Sequence, residues 1–157
     1  MKIKKAEIKH ILYATEFSDN ACSVCGYALR LADQFKAKLS IIHVIREDLI
    51  DLLVFDVGVD RAAGVEKRFS MKKEEFQNAK HNIIKKIKVD YELDEIDEEN
   101  IVVERGNPVK MILAVAEERK CDLIVMGKKG RGSLEDTLMG DTVTRVLNRS
   151  NVPVLVV

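Results

Sequence analysis

Five short apolar runs punctuate the chain, and longer stretches of three- and four-residue apolar spacing separate most of them. Residues 8–14 (IKHILYA), 38–45 (KLSIIHVI), 100–105 (NIVVER), 121–126 (CDLIVM) and 153–157 (PVLVV) are too short for helices and rich in Ile, Val and Leu, so they predict strands. Between the first two, Val24, Ala28, Leu31, Ala32 and Phe35 fall on one face of a helix ending near residue 36, with Ser18 as its candidate cap. Phe69, Phe76, Ala79, Ile83 and Ile87 draw a single apolar stripe along a long charged helix over residues 64–89. Asn107 and Pro108 open a third helix, Asn as cap and Pro in the first turn, with Val109, Ile112, Leu113 and Ala116 inward. A fourth helix is expected over residues 141–149. Residues 90–99 read as an acidic linker, and residues 46–63 as an irregular insert packed on the core edge.

The resulting order is β-α-β-α-β-α-β-α-β. Unbroken apolar strands separated by helices predict an α/β fold: a parallel sheet covered on both faces, with right-handed crossovers. Ligands of such sheets bind at the carboxyl ends of strands, where the strand order reverses. The first strand ends at Ala14, Thr15 and Glu16, and the fourth at Met126 and Gly127. Placed side by side, these ends line one crevice.

Residues 122–142 carry the candidate chemistry. A strand breaks into Gly127, Gly130 and Gly132, interleaved with Lys128, Lys129 and Arg131. Gly140 and a helix start at Asp141 or Thr142 follow. Glycines let backbone N–H groups approach an anion closely, and a helix start adds unpaired donors and partial positive charge. The stretch therefore has the makings of a phosphate cradle.

Composition narrows the remaining classes. At 157 residues the chain is expected to form one domain, residues 1–157. Its 26 basic and 26 acidic side chains balance, so no net charge draws it to nucleic acid or a membrane surface. The KKGRG cluster is too short for a nucleic-acid footprint. No apolar run approaches the ~18–20 residues of a membrane span, and the first is too short for a signal-peptide core. Three cysteines make no disulfide framework, so the expected compartment is cytoplasmic. With Ser18 as cap, the C-x-x-C pair Cys22 and Cys25 would lie a turn or more inside the helix, as buried or half-buried structural thiols rather than a redox pair. His10, His43 and His81 fall on separate elements and make no zinc site; His43, in an apolar strand, is expected as a hydrogen-bonded core residue. Ser133 lacks the spacing of a nucleophile elbow.

These stretches resemble the universal stress protein family over nearly the whole chain. ILYATEFSDNA is similar to the family's first strand and turn, KLSIIHVI to its second strand, and RGNPVKMILAVAEERKCDLIVMGKKG to its third helix and fourth strand. Gly127, Gly130 and Gly140 keep the spacing of the family's nucleotide motif, and SNVPVLVV closes the chain as family members do. The resemblance implies a Rossmann-like doubly wound sheet of five parallel strands in the order 3-2-1-4-5, with helices on both faces. It implies a homodimer paired through the last strand, flanked by Val154 and Val156. It also implies an ATP site, with or without Mg²⁺. Carried over by position, the site falls to Ala14, Thr15, Glu16, Val44, Met126, Gly127, Gly130, Arg131, Gly140, Asp141 and Thr142. In such a site Thr15, Glu16 and Val44 would contact adenosine, Gly127, Gly130 and Gly140 would form the backbone cradle, and Lys128 and Arg131 would neutralise phosphate charge.

Three positions depart from the nucleotide-binding pattern: Ala14 replaces Pro, Glu16 replaces Asp, and Asp141 replaces the Ser or Thr after the last glycine. An ionised carboxylate accepts hydrogen bonds but donates none. At ~4 Å from a phosphate charge it opposes binding by roughly 4 kcal/mol at an effective dielectric of 20. As a helix cap Asp141 would also occupy the terminus a phosphate needs. Two readings therefore stand: a stress-response module that binds ATP without fast turnover, and a member that binds no ATP and acts through protein contacts as a dimer. No residue is placed by sequence as the base for slow ATP hydrolysis.

Overall fold

The computed structural model describes residues 3, 5–18, 20–46, 73–129 and 139–157. Five strands form one sheet: β1 (His10–Ala14), β2 (Lys38–Arg46), β3 (Ile101–Gly106), β4 (Leu123–Met126) and β5 (Val154–Val156). All four pairings are parallel and the order is β3-β2-β1-β4-β5, as the resemblance implies. Four helices accompany them: α1 (Ala21–Phe35), α2 (Lys73–Asp90), α3 (Pro108–Glu118) and α4 (Asp141–Arg149). The insert beyond Arg46, the beginning of the long helix with Phe69, and the loop carrying Gly130, Arg131, Gly132 and Ser133 lie outside the described residues.

Alternation along the strands builds two cores. Ile11 and Tyr13 of β1 pack with Val24, Cys25 and Ala28 of α1 and Ile87 of α2. Leu12 and Ala14 point to the opposite face, where they join Val109 and Ile112 of α3 and Val143 and Val146 of α4. β1 is covered on both faces and paired on both edges, which explains its continuous apolar sequence.

The amino-terminal end of the β1–β4 pair is clamped. The Asp122 carboxylate accepts from the backbone N–H of Lys9 at 2.8 Å and of His10 at 2.9 Å, while its own N–H donates to the His10 carbonyl at 2.8 Å. At the carboxyl ends, β2 lies on one side of β1 and β4 on the other, so the connections diverge there and leave a crevice.

Two local expectations are corrected. α1 begins at Ala21 with Asn20 in the cap position, not Ser18, and the Asn20 side chain makes no capping bond. The Ser18 carbonyl instead accepts from the Ala21 N–H in a tight turn, and the buried Tyr13 hydroxyl donates to the Ala21 carbonyl. Residues 90–99 are not a bare linker: Leu93 is buried in the core, Tyr91 packs against it, and Glu98–Asn100 forms a 3-10 turn. At the end of β3, Gly106 adopts φ +127°, a conformation natural only to glycine, before Asn107 caps α3 by accepting from the Lys110 N–H at 3.1 Å.

Candidate functional site

A crevice of about 210 Å³ opens at the carboxyl ends of β1 and β4. Ala14, Thr15, Glu16, Met126, Gly127, Gly140, Asp141 and Thr142 all line it, so eight of the twelve residues singled out by sequence converge. A second, largely apolar crevice of about 820 Å³ adjoins it over the ends of β1 and β2, and Val44 lies there. Ala14, Thr15, Glu16, Arg46 and Met126 belong to both. The Lys128 side chain is exposed and does not line either crevice; its neighbour Lys129 lines the smaller one. Gly130 and Arg131 lie outside the described residues.

The smaller crevice owes its shape to the backbone around Gly127. The Lys128 N–H donates to the Val157 carbonyl at 2.7 Å, and the Lys128 carbonyl accepts from the Gly140 N–H at 3.0 Å. The first bond ties the end of β4 to the residue after β5, and the second holds the start of α4 against the end of β4. Gly127 itself packs on α1: a Cβ there would meet Cγ2 of Val24 at 3.3 Å, tighter than an ordinary contact. A side chain at this position would press on Val24, although the backbone of Gly127 does not adopt positive φ.

α4 covers Asp141–Arg149, as the sequence predicts, but its cap differs from the one Asp141 suggested. Gly140 takes the cap position and Asp141 is the first helical residue, so Asp141 does not cap the helix. Its carboxylate turns along the helix and accepts from Nε of Arg145 at 3.1 Å, with the Asp141 side chain 71% exposed. Among the described residues, no side chain caps the N-terminus of α4. A Gly cap followed by an acid and an Arg four residues on was legible in the sequence as a pair across one helical turn.

Thr15 also serves differently. Its side chain points to the α1 and α2 face and is buried, sharing a 2.6 Å hydrogen bond with the Tyr91 hydroxyl and accepting from the Phe17 N–H at 3.3 Å. Its N–H donates to the Ile42 carbonyl at 2.9 Å, and its carbonyl accepts from Nδ1 of His43 at 2.9 Å. Every polar atom of Thr15 has a protein partner, so this residue shapes the wall of the crevice. His43 is half-buried and hydrogen-bonded, and its Nδ1 carries the proton because a carbonyl only accepts. Phe17, at φ +54°, lays its ring 4.6 Å from the His43 ring, and Lys86 stands 5.4 Å over the Phe17 ring. Tyr91 and Phe17 gave no sequence signal: one sits in an acidic stretch, the other in a polar turn. Burial raises the Tyr91 phenol above its usual range and raises that of Tyr13 further, so both hydroxyls stay protonated.

Cys25 is buried, and burial pushes its thiol up to about 12. Cys22, expected to be at least half-buried, is instead exposed in the first turn of α1, because the helix starts at Ala21. Among the described residues, no group of three or more His, Cys, Asp or Glu side chains is arranged to hold a metal, and no helix is long and apolar enough to cross a membrane.

Comparison with known proteins agrees with this architecture. Universal stress protein MJ0577 of Methanocaldococcus jannaschii is 33% identical over 95% of this chain and 94% of its own. A solved structure of MJ0577 superposes with a TM-score of 0.68 at 29% identity, covering 97% of this chain and 96% of that one. A universal stress protein solved in complex with cAMP shares the fold, with a TM-score of 0.53 at 20% identity over 97% of this chain and 98% of that one. The universal stress protein family model matches residues 7–157. With the strand order, the glycine spacing and these likenesses together, the chain belongs to the universal stress protein family.

Proposed function

We propose that this chain, as one universal stress protein domain over residues 1–157, binds an adenine nucleotide across the two adjoining crevices. The observation that carries the reading is the start of α4: among the described residues no side chain caps it, it is held beside Gly127, and its one acid is turned toward Arg145. Phosphate oxygens would accept from the N–H groups of this terminus, favoured by the helix dipole. The base would rest in the apolar crevice near Val44 and Met126. A relative of the same fold solved with cAMP supports an adenine nucleotide as the ligand class. The cations bordering the phosphate crevice, Lys129 and Arg46, suit an anionic ligand. Exposure of the Asp141–Arg145 pair lowers the electrostatic objection: at ~4 Å in a water-like dielectric, the repulsion falls to about 1 kcal/mol.

The test is thermal unfolding of the full chain with and without Mg-ATP, checked by titration calorimetry. A ligand at about 100 times its Kd adds ~2.7 kcal/mol, or about 5–11 °C for a chain of this size. Absence of both heat and shift at millimolar Mg-ATP overturns the proposal and leaves the protein-interaction module. In the same proposal two copies pair along β5, whose outer edge has no partner strand among the described residues and whose Leu155 is exposed. Sedimentation of the same samples checks that part, and a monomer contradicts it.

A further inference from the structure

Cys22 and Cys25 lie one helical turn apart at the start of α1, and Ala21 and Val24 from the same turn line the smaller crevice. The two thiols have unlike surroundings. Cys22 is exposed, and its thiol donates to the Asp90 carbonyl at 3.7 Å, where α2 ends. Cys25 is buried among the residues between α1 and the sheet, with Tyr13 and Ile87. We propose that Cys22 and Cys25 form a hydroperoxide-reactive dithiol, in which Cys22 meets the oxidant and Cys25 resolves it to an intrahelical disulfide.

The chemistry balances with a hydroperoxide as the sole oxidant. The Cys22 sulfur, as thiolate, attacks the O–O bond. An S–O bond forms, the O–O bond breaks, and the released oxygen leaves as water or an alcohol. The Cys25 sulfur then attacks the Cys22 sulfenic acid. An S–S bond forms, the S–O bond breaks, and the departing hydroxide takes the Cys25 proton as water. The two thiols lose two electrons, and the hydroperoxide gains them.

Geometry favours this pair over other outcomes. Side chains at i and i+3 have Cβ atoms ~5–6 Å apart, and a disulfide needs ~3.5–4.5 Å, so closure draws the first turn in by about 1–2 Å. That turn has no side-chain cap to hold it, since Asn20 makes none. Burial of Cys25, which keeps its thiol protonated, shields it from direct attack and reserves it for the sulfenic acid beside it. Cys121 is buried in the core on the opposite face of the sheet and cannot reach either sulfur. Closure also withdraws Cys22 from Asp90, the residue before the Tyr91 that holds Thr15.

The test is treatment of the reduced full chain with hydrogen peroxide, followed by intact mass and peptide mapping. The expected product has lost two hydrogens, with one crosslink between Cys22 and Cys25 that a reductant removes. Cys121→Ser should give the same product. Cys25→Ala should give a Cys22 sulfenic acid trapped by a 1,3-diketone, and no crosslink. Wild-type chain that keeps all three thiols, stops at a sulfinic acid on Cys22, or joins two chains through Cys22 overturns the proposal. The readout is on the thiols, so it stands or falls independently of nucleotide binding.

Discussion

Asp141→Ser should move unliganded stability and nucleotide affinity in opposite directions. In the free protein Asp141 has two favourable interactions. A carboxylate in the first turn of a helix is stabilised by ~0.3–1 kcal/mol, and an exposed i, i+4 pair such as that with Arg145 at 3.1 Å adds ~0.3–0.5 kcal/mol. The variant should therefore lose about 0.5–1.5 kcal/mol, which for this length lowers Tm by about 1–6 °C. Binding changes the sign. A phosphate seated on α4 places negative charge near the Asp141 carboxylate, and the exposure of that carboxylate sets a water-like dielectric. Removing it gains about 1 kcal/mol, or roughly fivefold in affinity. A buried carboxylate would gain roughly 4 kcal/mol instead, close to a thousandfold, so the measured factor reads out how wet the site is. Titration calorimetry of Mg-ATP into both proteins at matched ionic strength gives the factor, and melts without nucleotide give the stability term. A folded variant whose affinity equals or falls below that of wild type refutes the placement of the phosphate at the start of α4.

Two further outcomes follow from buried polar contacts. Tyr91→Phe keeps the ring against Tyr13 and Phe17 but removes the hydroxyl 2.6 Å from Thr15 Oγ1, and it should cost about 1–2 kcal/mol. Paired with Thr15→Val in a double-mutant cycle by urea denaturation, it should show a coupling of roughly 0.5–1.5 kcal/mol; additive effects would deny the bond its role. His10 should make stability fall on mild acidification. Its ring accepts from the buried Ser40 hydroxyl at 2.9 Å and donates to the Arg119 carbonyl at 3.0 Å. Burial lowers its affinity for a proton below the usual histidine value. The unfolded chain then takes up a proton first, near pH ~6.5, so stability is complete above that pH and is lost as pH falls toward the lowered folded value. Melts between about pH 7.5 and 5.5 should show this slope in wild type, and His10→Gln should flatten it; an unchanged slope places the titration elsewhere.

Much of the fold was readable because strands buried on both faces write themselves as unbroken apolar runs. β1, β2 and β4 are of this kind. What escaped lies where contacts distant in sequence decide local geometry. Ser18 has the chemistry of a cap, yet Tyr13 and the Phe17 turn place the helix start at Ala21. The resemblance implies an adenosine contact at Thr15, but only the fold brings its hydroxyl to Tyr91, 76 residues away. Asp141 suits a cap by residue type, and Gly140 takes that position instead, leaving the acid to Arg145.

The strand first in sequence is the middle strand of the sheet, and this has a consequence for synthesis. β1 can pair with β2 soon after both leave the ribosome, but its other edge waits for β4. The clamp joining Lys9 to Asp122 spans 113 residues, which at ~5–20 residues per second means roughly 6–23 s of translation. Through that interval a largely apolar strand stands with one row of backbone donors and acceptors open to any other nascent chain. The protein's exposure to misassembly is therefore concentrated in the time before residue 126 emerges, and slowing translation ahead of β4 should tax its yield more than slowing it afterwards.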